Sequence, residues 1–158
     1  MNLSKIFKNA LLVMLASLVL TACATKKVQN QMQGDVYTGT DTVKYLASGV
    51  ADRVFFATNE SVLTTASRDT LRKQAEWLRK NSKINVVLEG HADERGTREY
   101  NLALGERRAN AAKDYLMTYG ISGKRISVIS YGKEKPVNPA SSPLAWSQNR
   151  RSVTVKVK

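Results

Sequence analysis

The segment GHADERGTREYN at Gly90–Asn101, together with LGERRAN at Leu104–Asn110, decides the fold assignment of this 158-residue chain. Before it, residues 84–89 alternate as in a buried β-strand, and Gly90 is expected to end that strand. After it, apolar residues recur with helical spacing as far as Gly120, a residue typical of the position just beyond a helix. The charged segment is therefore predicted to lie between a buried strand and a long helix.

The same two periodicities predict the other elements of a single domain. A helix is predicted over residues 64–80, where Leu71, Ala75 and Leu78 form an apolar stripe. Further strands are predicted at residues 53–56, 125–131 and 151–158. Together the elements predict an α/β two-layer sandwich with the order βαβαββ, in which a four-stranded mixed sheet carries its helices on one face.

The last predicted strand shows a clear alternation. One side carries Val153, Val155 and Val157, and the other carries Ser152, Thr154 and Lys156. One face of the sheet is therefore expected to be buried and the other to be largely exposed to water.

The N-terminus has the layout of an export signal. Lys5 and Lys8 precede an apolar run at residues 10–20 that is too short to span a bilayer. Residues 20–23 read LTAC and resemble the lipobox of bacterial lipoproteins, which implies that Cys23 becomes the first mature residue and carries acyl chains, palmitate among them. Ala24, which is not an aspartate, implies by the same resemblance sorting to the outer membrane. The alternative is a plain signal peptide with a chance cysteine nearby.

These features divide the chain into a signal peptide (1–22), a lipidated N-terminus with a flexible tether (23–50) and a folded domain (51–158). The tether is polar and has little apolar periodicity. Lys and Arg number 25 against 13 acidic residues, and removing residues 1–22, which contain two lysines and no acid, lowers the net charge from +12 to +10. This surplus predicts attraction to polyanions, and export argues against nucleic acid.

The charged segment and three further motifs resemble the OmpA-like peptidoglycan-binding domain, and among its members the lipoproteins. The further motifs are VFF at Val54–Phe56, SYGKEKP at Ser130–Pro136 and WSQNRR at Trp146–Arg151. The resemblance implies noncovalent binding of meso-diaminopimelate, a residue of peptidoglycan stem peptides whose side chain ends in an ammonium and a carboxylate. It also implies a lipid anchor in the outer membrane, a domain that faces the periplasm, and a role with the Tol proteins in envelope integrity and cell division. TolB is the main expected protein partner and TolA a second candidate.

The same resemblance assigns the binding roles. Asp93 takes the ammonium of diaminopimelate and Arg108 its carboxylate, which agrees with the compact charge of an ammonium and the planar fork of a guanidinium. Asn101 matches a ligand-contacting asparagine, and Leu104 and Phe56 match apolar contacts along the cleft. Where many relatives carry acids after the VFF motif, this chain has Ala-Thr-Asn at residues 57–59.

The helical pattern independently favours Arg108 over its neighbour Arg107. Arg108 continues an apolar stripe and borders the packed face, whereas Arg107 lies on a more polar stripe. An unbroken helix from Thr97 would place Arg108 about 16 Å along the axis. A restart of the helix at Gly105 is therefore expected to bring Arg108 near the loop, and neither Asp93 nor Arg108 is expected to belong to the core.

Other functions have weaker support. His91 with Asp93 and Glu94 gives no complete ligand set, so no metal or cofactor is expected and His91 is assigned a loop or supporting role. A hydrolase needs a carboxyl group with a raised pKa, but carboxylates in an arginine-rich loop should stay ionised. We therefore expect a binding module and not an enzyme. The open alternatives are an OmpA-like anchoring lipoprotein without Tol partners and a peptidoglycan hydrolase.

Overall fold

The computed structural model describes residues 32–157. The predicted signal peptide, the lipidation site Cys23 and the first part of the tether lie outside the described residues. The first described elements are two short antiparallel hairpins. One pairs β1 (Met32–Gln33) with β2 (Val36–Tyr37), and the other pairs β3 (Tyr45–Ala47) with β4 (Val50–Ala51).

These hairpins differ from the flexible tether expected as far as residue 50. Tyr37 and Leu46 are buried, and the ring of Tyr37 meets the ring of Phe55 edge-on at a centroid distance of 4.7 Å. The stretch around these residues is mostly polar and shows little apolar periodicity, so the sequence pattern did not reveal that they are buried. The folded unit therefore includes residues 32–50.

The main sheet has four strands in the spatial order β5-β8-β6-β7: β5 (Arg53–Phe55), β6 (Val86–His91), β7 (Ile126–Gly132) and β8 (Arg151–Lys156). β6 and β7 are parallel, and β8 runs antiparallel to both β5 and β6. The helices are α1 (Thr65–Lys80), α2 (Arg98–Thr118) and α3 (Pro143–Asn149). The predicted sandwich with a mixed four-stranded sheet is confirmed, and α3 is a short additional helix between β7 and β8.

Local sequence explains where the two long helices begin. Thr64 and Thr97 precede α1 and α2 in extended conformations, and their side-chain oxygens accept hydrogen bonds from the amides of Ser67 and Tyr100. These N-caps satisfy amides that have no partner within the helix. Within residues 32–157, neither these helices nor α3 has the length and apolar character needed to cross a membrane.

The core lies between α1, α2 and one face of the sheet. Its members are apolar side chains, several of which lie on the stripes that the helical and strand patterns predict. They include Leu71 and Leu78 of α1, Ala112 and Leu116 of α2, and Val86 and Leu88 of β6.

On β8 the side that faces the helices carries the polar row (Ser152, Thr154 and Lys156) and not the valine row. Thr154 is only 3% exposed, and its hydroxyl group is 2.7 Å from the side-chain oxygen of Gln74 on α1. Val155 faces the other way and is 38% exposed. Because a hydrogen-bonded polar pair can be buried, apolar character did not identify which face the helices cover.

α2 meets β6 at a contact between two glycines. A side chain at Gly90 would clash with the carbonyl oxygen of Gly105, and a Cβ atom at Gly105 would lie 2.9 Å from the carbonyl oxygen of Gly90. β6 continues through Gly90 to His91, and α2 continues through Gly105. The expected strand end at Gly90 and helix restart at Gly105 are therefore wrong. Both glycines permit a close approach of two backbones.

Candidate functional site

The predicted site residues lie around the end of β6, where the chain crosses to α2. The amide of Ala92 donates to the carbonyl of Gly132 at 2.8 Å and ties the start of the crossing to β7. The crossing loop then runs through residues 93–97. Opposite it lies the loop that follows β5, and Arg95 joins the two loops through a 3.3 Å hydrogen bond to the hydroxyl oxygen of Thr58.

Asp93 supplies a buried, fully engaged carboxylate, with the residue only 7% exposed. The side chain of Arg95 donates to its two oxygens at 3.0 and 2.7 Å, and the amide of Arg95 donates at 3.1 Å. Arg150 adds a longer contact of 3.4 Å. Burial alone would raise the pKa of Asp93, but the hydrogen bonds and charge of Arg95, with the charge of Arg150, outweigh burial and lower the pKa. The carboxylate is ionised at neutral pH.

Arg108 is completely buried, with an exposure of 0%. Its guanidinium donates to three backbone carbonyls: Nε to Glu60 at 2.8 Å, Nη1 to His91 at 2.9 Å and Nη2 to Ala57 at 3.0 Å. Burial lowers its pKa to about 10, and the charge of Arg150 acts in the same direction. Arg107 is exposed, as expected. The expectation that Arg108 lies outside the core is wrong, because its side chain reaches inward and joins the loop after β5 to the end of β6.

The loop after β5 contributes through its backbone. The carbonyls of Ala57 and Glu60 face Arg108, and the amide of Glu60 also donates to the carbonyl of Ala57 at 3.2 Å. Asn59 makes this turn possible with a φ of 58°, a conformation that asparagine tolerates better than most residues. Ala57 and Glu60 therefore shape the site with main-chain atoms.

Phe56 and Arg150 connect the two charged centres. The ring of Phe56 lies 5.4 Å from the guanidinium carbon of Arg108, and its carbonyl accepts a 3.0 Å hydrogen bond from Arg150. Arg150 is buried, and burial lowers its pKa. Arg150 belongs to the motif WSQNRR, but nothing in the sequence of that motif assigns it a role. Arg150 is followed directly by Arg151, and the sequence pattern does not show which of the two arginines points toward Asp93.

Asn101 and Leu104 are buried on the first turns of α2. The side-chain amide of Asn101 donates to the carbonyl of Arg95 at 2.8 Å. Asn101 thus holds the crossing loop in the shape that brings Arg95 to Asp93. Leu104 fills apolar space on the same helix.

A tryptophan that sequence reasoning also left without a role lies at the rim. The guanidinium of Arg95 stacks 4.4 Å from the ring of Trp146, and the indole nitrogen donates to Glu94 at 2.8 Å. This hydrogen bond lowers the pKa of Glu94. A general acid needs a carboxyl group with a raised pKa. The pKa values of Asp93 and Glu94 are both lowered, so the arrangement suits electrostatic recognition better than glycoside hydrolysis.

His91 lies at the end of β6, and its ring packs 5.5 Å from that of Tyr131. Burial lowers the pKa of His91 to about 3, and the charges of Arg151, Arg53 and Lys135 act in the same direction. The expected loop position is wrong, but the supporting position is real, because the carbonyl of His91 accepts from Arg108. Among residues 32–157, no three His, Cys, Asp or Glu residues form a group that could hold a metal ion.

Comparison with known proteins identifies the family. The OmpA family profile matches residues 55–150, which is more than half of the chain. The chain belongs to the OmpA family. It is 42% identical to a protein named peptidoglycan-associated lipoprotein from Mesorhizobium japonicum, over 91% of this chain and 89% of that protein. It is 45% identical to one of the same name from Rhizobium meliloti, over 98% of this chain and 91% of that protein.

A solved structure agrees with this membership. The crystal structure of the peptidoglycan-associated lipoprotein from Burkholderia pseudomallei superposes with a TM-score of 0.65 at 34% identity, over 67% of this chain and 90% of that chain. The C-terminal domain of MotB from Helicobacter pylori has a TM-score of 0.63 at 19% identity, over 68% of this chain and 84% of that chain, and so shares the fold. The resemblance found in the sequence is confirmed. The relatives are named as lipoproteins and not as hydrolases, which agrees with a protein that is not an enzyme.

Proposed function

We propose that this protein is an outer-membrane lipoprotein that binds the meso-diaminopimelate of peptidoglycan noncovalently and links the membrane to the cell wall. In this proposal residues 1–22 are a signal peptide, Cys23 carries the lipid, and the domain faces the periplasm. The Tol proteins, TolB above all, are the proposed protein partners in envelope integrity and cell division. The names of the relatives support the peptidoglycan part of the proposal.

The observation that carries the proposal is the position of Phe56 between two arginines and near one carboxylate. Its ring contacts Arg108, and its carbonyl binds Arg150, whose guanidinium is 3.4 Å from Asp93. The side chain of diaminopimelate ends in an ammonium and a carboxylate on one carbon, so its recognition needs an anion and a cation close together. Asp93 suits the ammonium, and the guanidiniums suit the carboxylate.

Arg95 indicates how the ammonium could enter. Its side chain is 42% exposed and neutralises Asp93 from the solvent side. A ligand ammonium would take the place of the Arg95 guanidinium at the carboxylate oxygens of Asp93. Arg150 would keep its own contact with the same carboxylate. The exchange keeps Asp93 paired throughout, which avoids the cost of an unpaired buried charge.

Calorimetric titration with two muropeptides tests this proposal. One carries meso-diaminopimelate in the stem peptide, and the other carries lysine, which lacks the second carboxylate. Asp93→Asn should weaken binding of the first at least about tenfold, because loss of one partner in a desolvated charged contact typically costs about 2 to 5 kcal/mol. The exposed α2 variant Asp114→Asn has the same charge change and should bind like the wild type. Equal affinity of the wild type for the two muropeptides would overturn the assignment of the ligand.

Two further measurements separate this proposal from the alternatives. Purified sacculi incubated with the protein should release no muropeptides, whereas a hydrolase would release them. TolB should be retained by residues 32–158 in a pull-down. A folded domain that binds muropeptide but retains no TolB would favour an anchoring lipoprotein without Tol partners.

A further inference from the structure

The hairpin β1–β2 reaches across to the candidate site through Asp35 at its turn. The carboxylate of Asp35 accepts a hydrogen bond of 2.6 Å from the amide of Thr58, 23 residues further along the chain. Its backbone carbonyl accepts a hydrogen bond from Arg150, and its carboxylate lies 3.8 Å from the same guanidinium. A segment that the sequence predicted to be a tether thus contacts the loop after β5 and the arginine that faces Asp93.

Asp35 is ionised where it lies. Burial would raise its pKa, but the hydrogen bonds from Thr58 and the charge of Arg150 outweigh burial and lower the pKa. The charge of Asp35 also contributes to the raised pKa of Arg95, after the larger contribution of Asp93. The site therefore holds a carboxylate from its own chain, beside the Thr58 amide and the Arg150 guanidinium, which are donors that suit any carboxylate.

We propose that Asp35 is an internal carboxylate ligand that closes the mouth of the site, so that a carboxylate-bearing ligand must displace the β1–β2 turn to bind. This inference rests on the proposed function, because it assumes that diaminopimelate enters beside Asp93. In the closed state Arg150 is 97% buried and the Thr58 amide is occupied. Displacement of the turn would free both donors without any change in the main sheet.

The contact has the properties of a reversible cover. β1 and β2 have two residues each, and such short hairpins have little stability of their own. The side chain of Asp35 is 48% exposed, so its ion pair is partly screened by water. Tyr37 packs on Phe55 and anchors the hairpin to the domain while the turn moves. A strong ligand can therefore compete with the turn at modest cost.

Removal of the Asp35 carboxylate tests the cover. In Asp35→Ala the muropeptide with meso-diaminopimelate should bind about three- to tenfold more tightly than to the wild type, because the fraction of open sites rises. Asp41→Ala is the matched control. It removes the same charge from the same segment, but Asp41 contacts Gln148 and neither Thr58 nor Arg150. Its affinity for the muropeptide should stay below that of Asp35→Ala.

Hydrogen exchange without ligand supplies a second measurement. The Thr58 amide should exchange faster in Asp35→Ala than in the wild type, and Asp41→Ala should leave its exchange unchanged. If wild type and Asp35→Ala bind the muropeptide equally, the proposal that Asp35 is an internal ligand is overturned, while the proposed function stands. If neither protein binds it, the proposed function fails, and the inference that depends on it fails too.

Discussion

The two faces of the main sheet bury polar side chains in different ways. On the helix side, Arg108 keeps its charge, and each of its three guanidinium nitrogens donates to a carbonyl. On the opposite face a cavity of about 520 Å³ is lined by Arg53, His91 and Arg151, among others. Both ring nitrogens of His91 and the Nε of Arg151 have no hydrogen-bond partner within the described chain.

This difference shows two ways in which a protein can bury an ionisable side chain. A buried charge is tolerated where backbone carbonyls accept from each nitrogen of the charged group, as at Arg108. Where burial and neighbouring cations outweigh a nearby carboxylate, a titratable group becomes neutral instead. The low pKa of His91 indicates this, although Glu89 lies 3.6 Å from its Nε2. The helix side should therefore be sensitive to mutation at any pH, and the opposite face should be sensitive to pH.

Arg108→Ala should produce the largest effect on stability. It removes the partner of three carbonyls and leaves space at a fully buried position. We expect a loss of about 3 to 5 kcal/mol in the free energy of unfolding, measured by urea denaturation. Arg107→Ala, one residue away and exposed, should change it by less than about 0.5 kcal/mol. Similar losses for the two variants would contradict the special position of Arg108.

Gly90→Ala should have the next largest effect, because the new methyl group would meet the backbone of Gly105. We expect a loss of about 1 to 3 kcal/mol or more, since neither backbone can move without separating α2 from β6. Gly123→Ala is the control. Its methyl group would meet only the flexible end of Met117, at 3.4 Å. A thermal unfolding midpoint unchanged by Gly90→Ala would show that the close approach is unimportant.

His91→Gln should have a smaller effect, visible as a change in pH dependence. The unfolded chain binds a proton at His91 below a pKa of about 6.5, whereas the folded protein resists protonation down to about 3. The unfolded state thus holds more protons in this range, and stability falls as pH falls. Between pH 7 and pH 5 the wild type should lose up to about 2 kcal/mol from this group.

In His91→Gln most of that loss should disappear, because His91 is the only histidine in the sequence. Asp35 and Asp93 have lowered pKa values, so the stability they contribute is lost only at more acidic pH. Ser127→Ala, at an exposed position of β7, should keep the wild-type slope. Urea denaturation at pH 7, 6 and 5 measures the slopes. Equal slopes for wild type and His91→Gln would show that His91 has the same pKa in the folded protein as in the unfolded chain.

Periodic elements could be predicted well, whereas features made by single residues could not. The helix at 64–80 and the strand at 53–56 match α1 and β5 closely, because each repeats an apolar spacing that one buried face requires. Asp93, Asn101, Leu104, Arg108 and Phe56 were found from their motifs, and they are all buried near the end of β6. Their role as binding residues stays a prediction.

The roles of Arg150, Trp146 and Asp35 could not be predicted from spacing. Arg150 lies 57 residues from Asp93, and Asp35 lies 115 residues from Arg150. No local pattern reports such distant pairs, because the contacts depend on how loops meet at the edge of the sheet. The glycines at 90 and 105 mislead for the same reason, since glycine marks a break in isolation but permits close packing when another backbone is present.

The sequence by itself determined the pattern that predicts an export signal, the order of the main strands and long helices, the family, and part of the candidate site, namely Phe56, Asp93, Asn101, Leu104 and Arg108. These follow from composition, periodicity and short motifs, which act over a few residues. Only the tertiary structure decided that the polar row of β8 faces the helices, that Arg108 is held by three carbonyls, and that Asp35 contacts Thr58 and Arg150. Each of these depends on hydrogen bonds between distant segments, where the free energy comes from satisfying buried polar atoms and leaves no periodic signal in the chain.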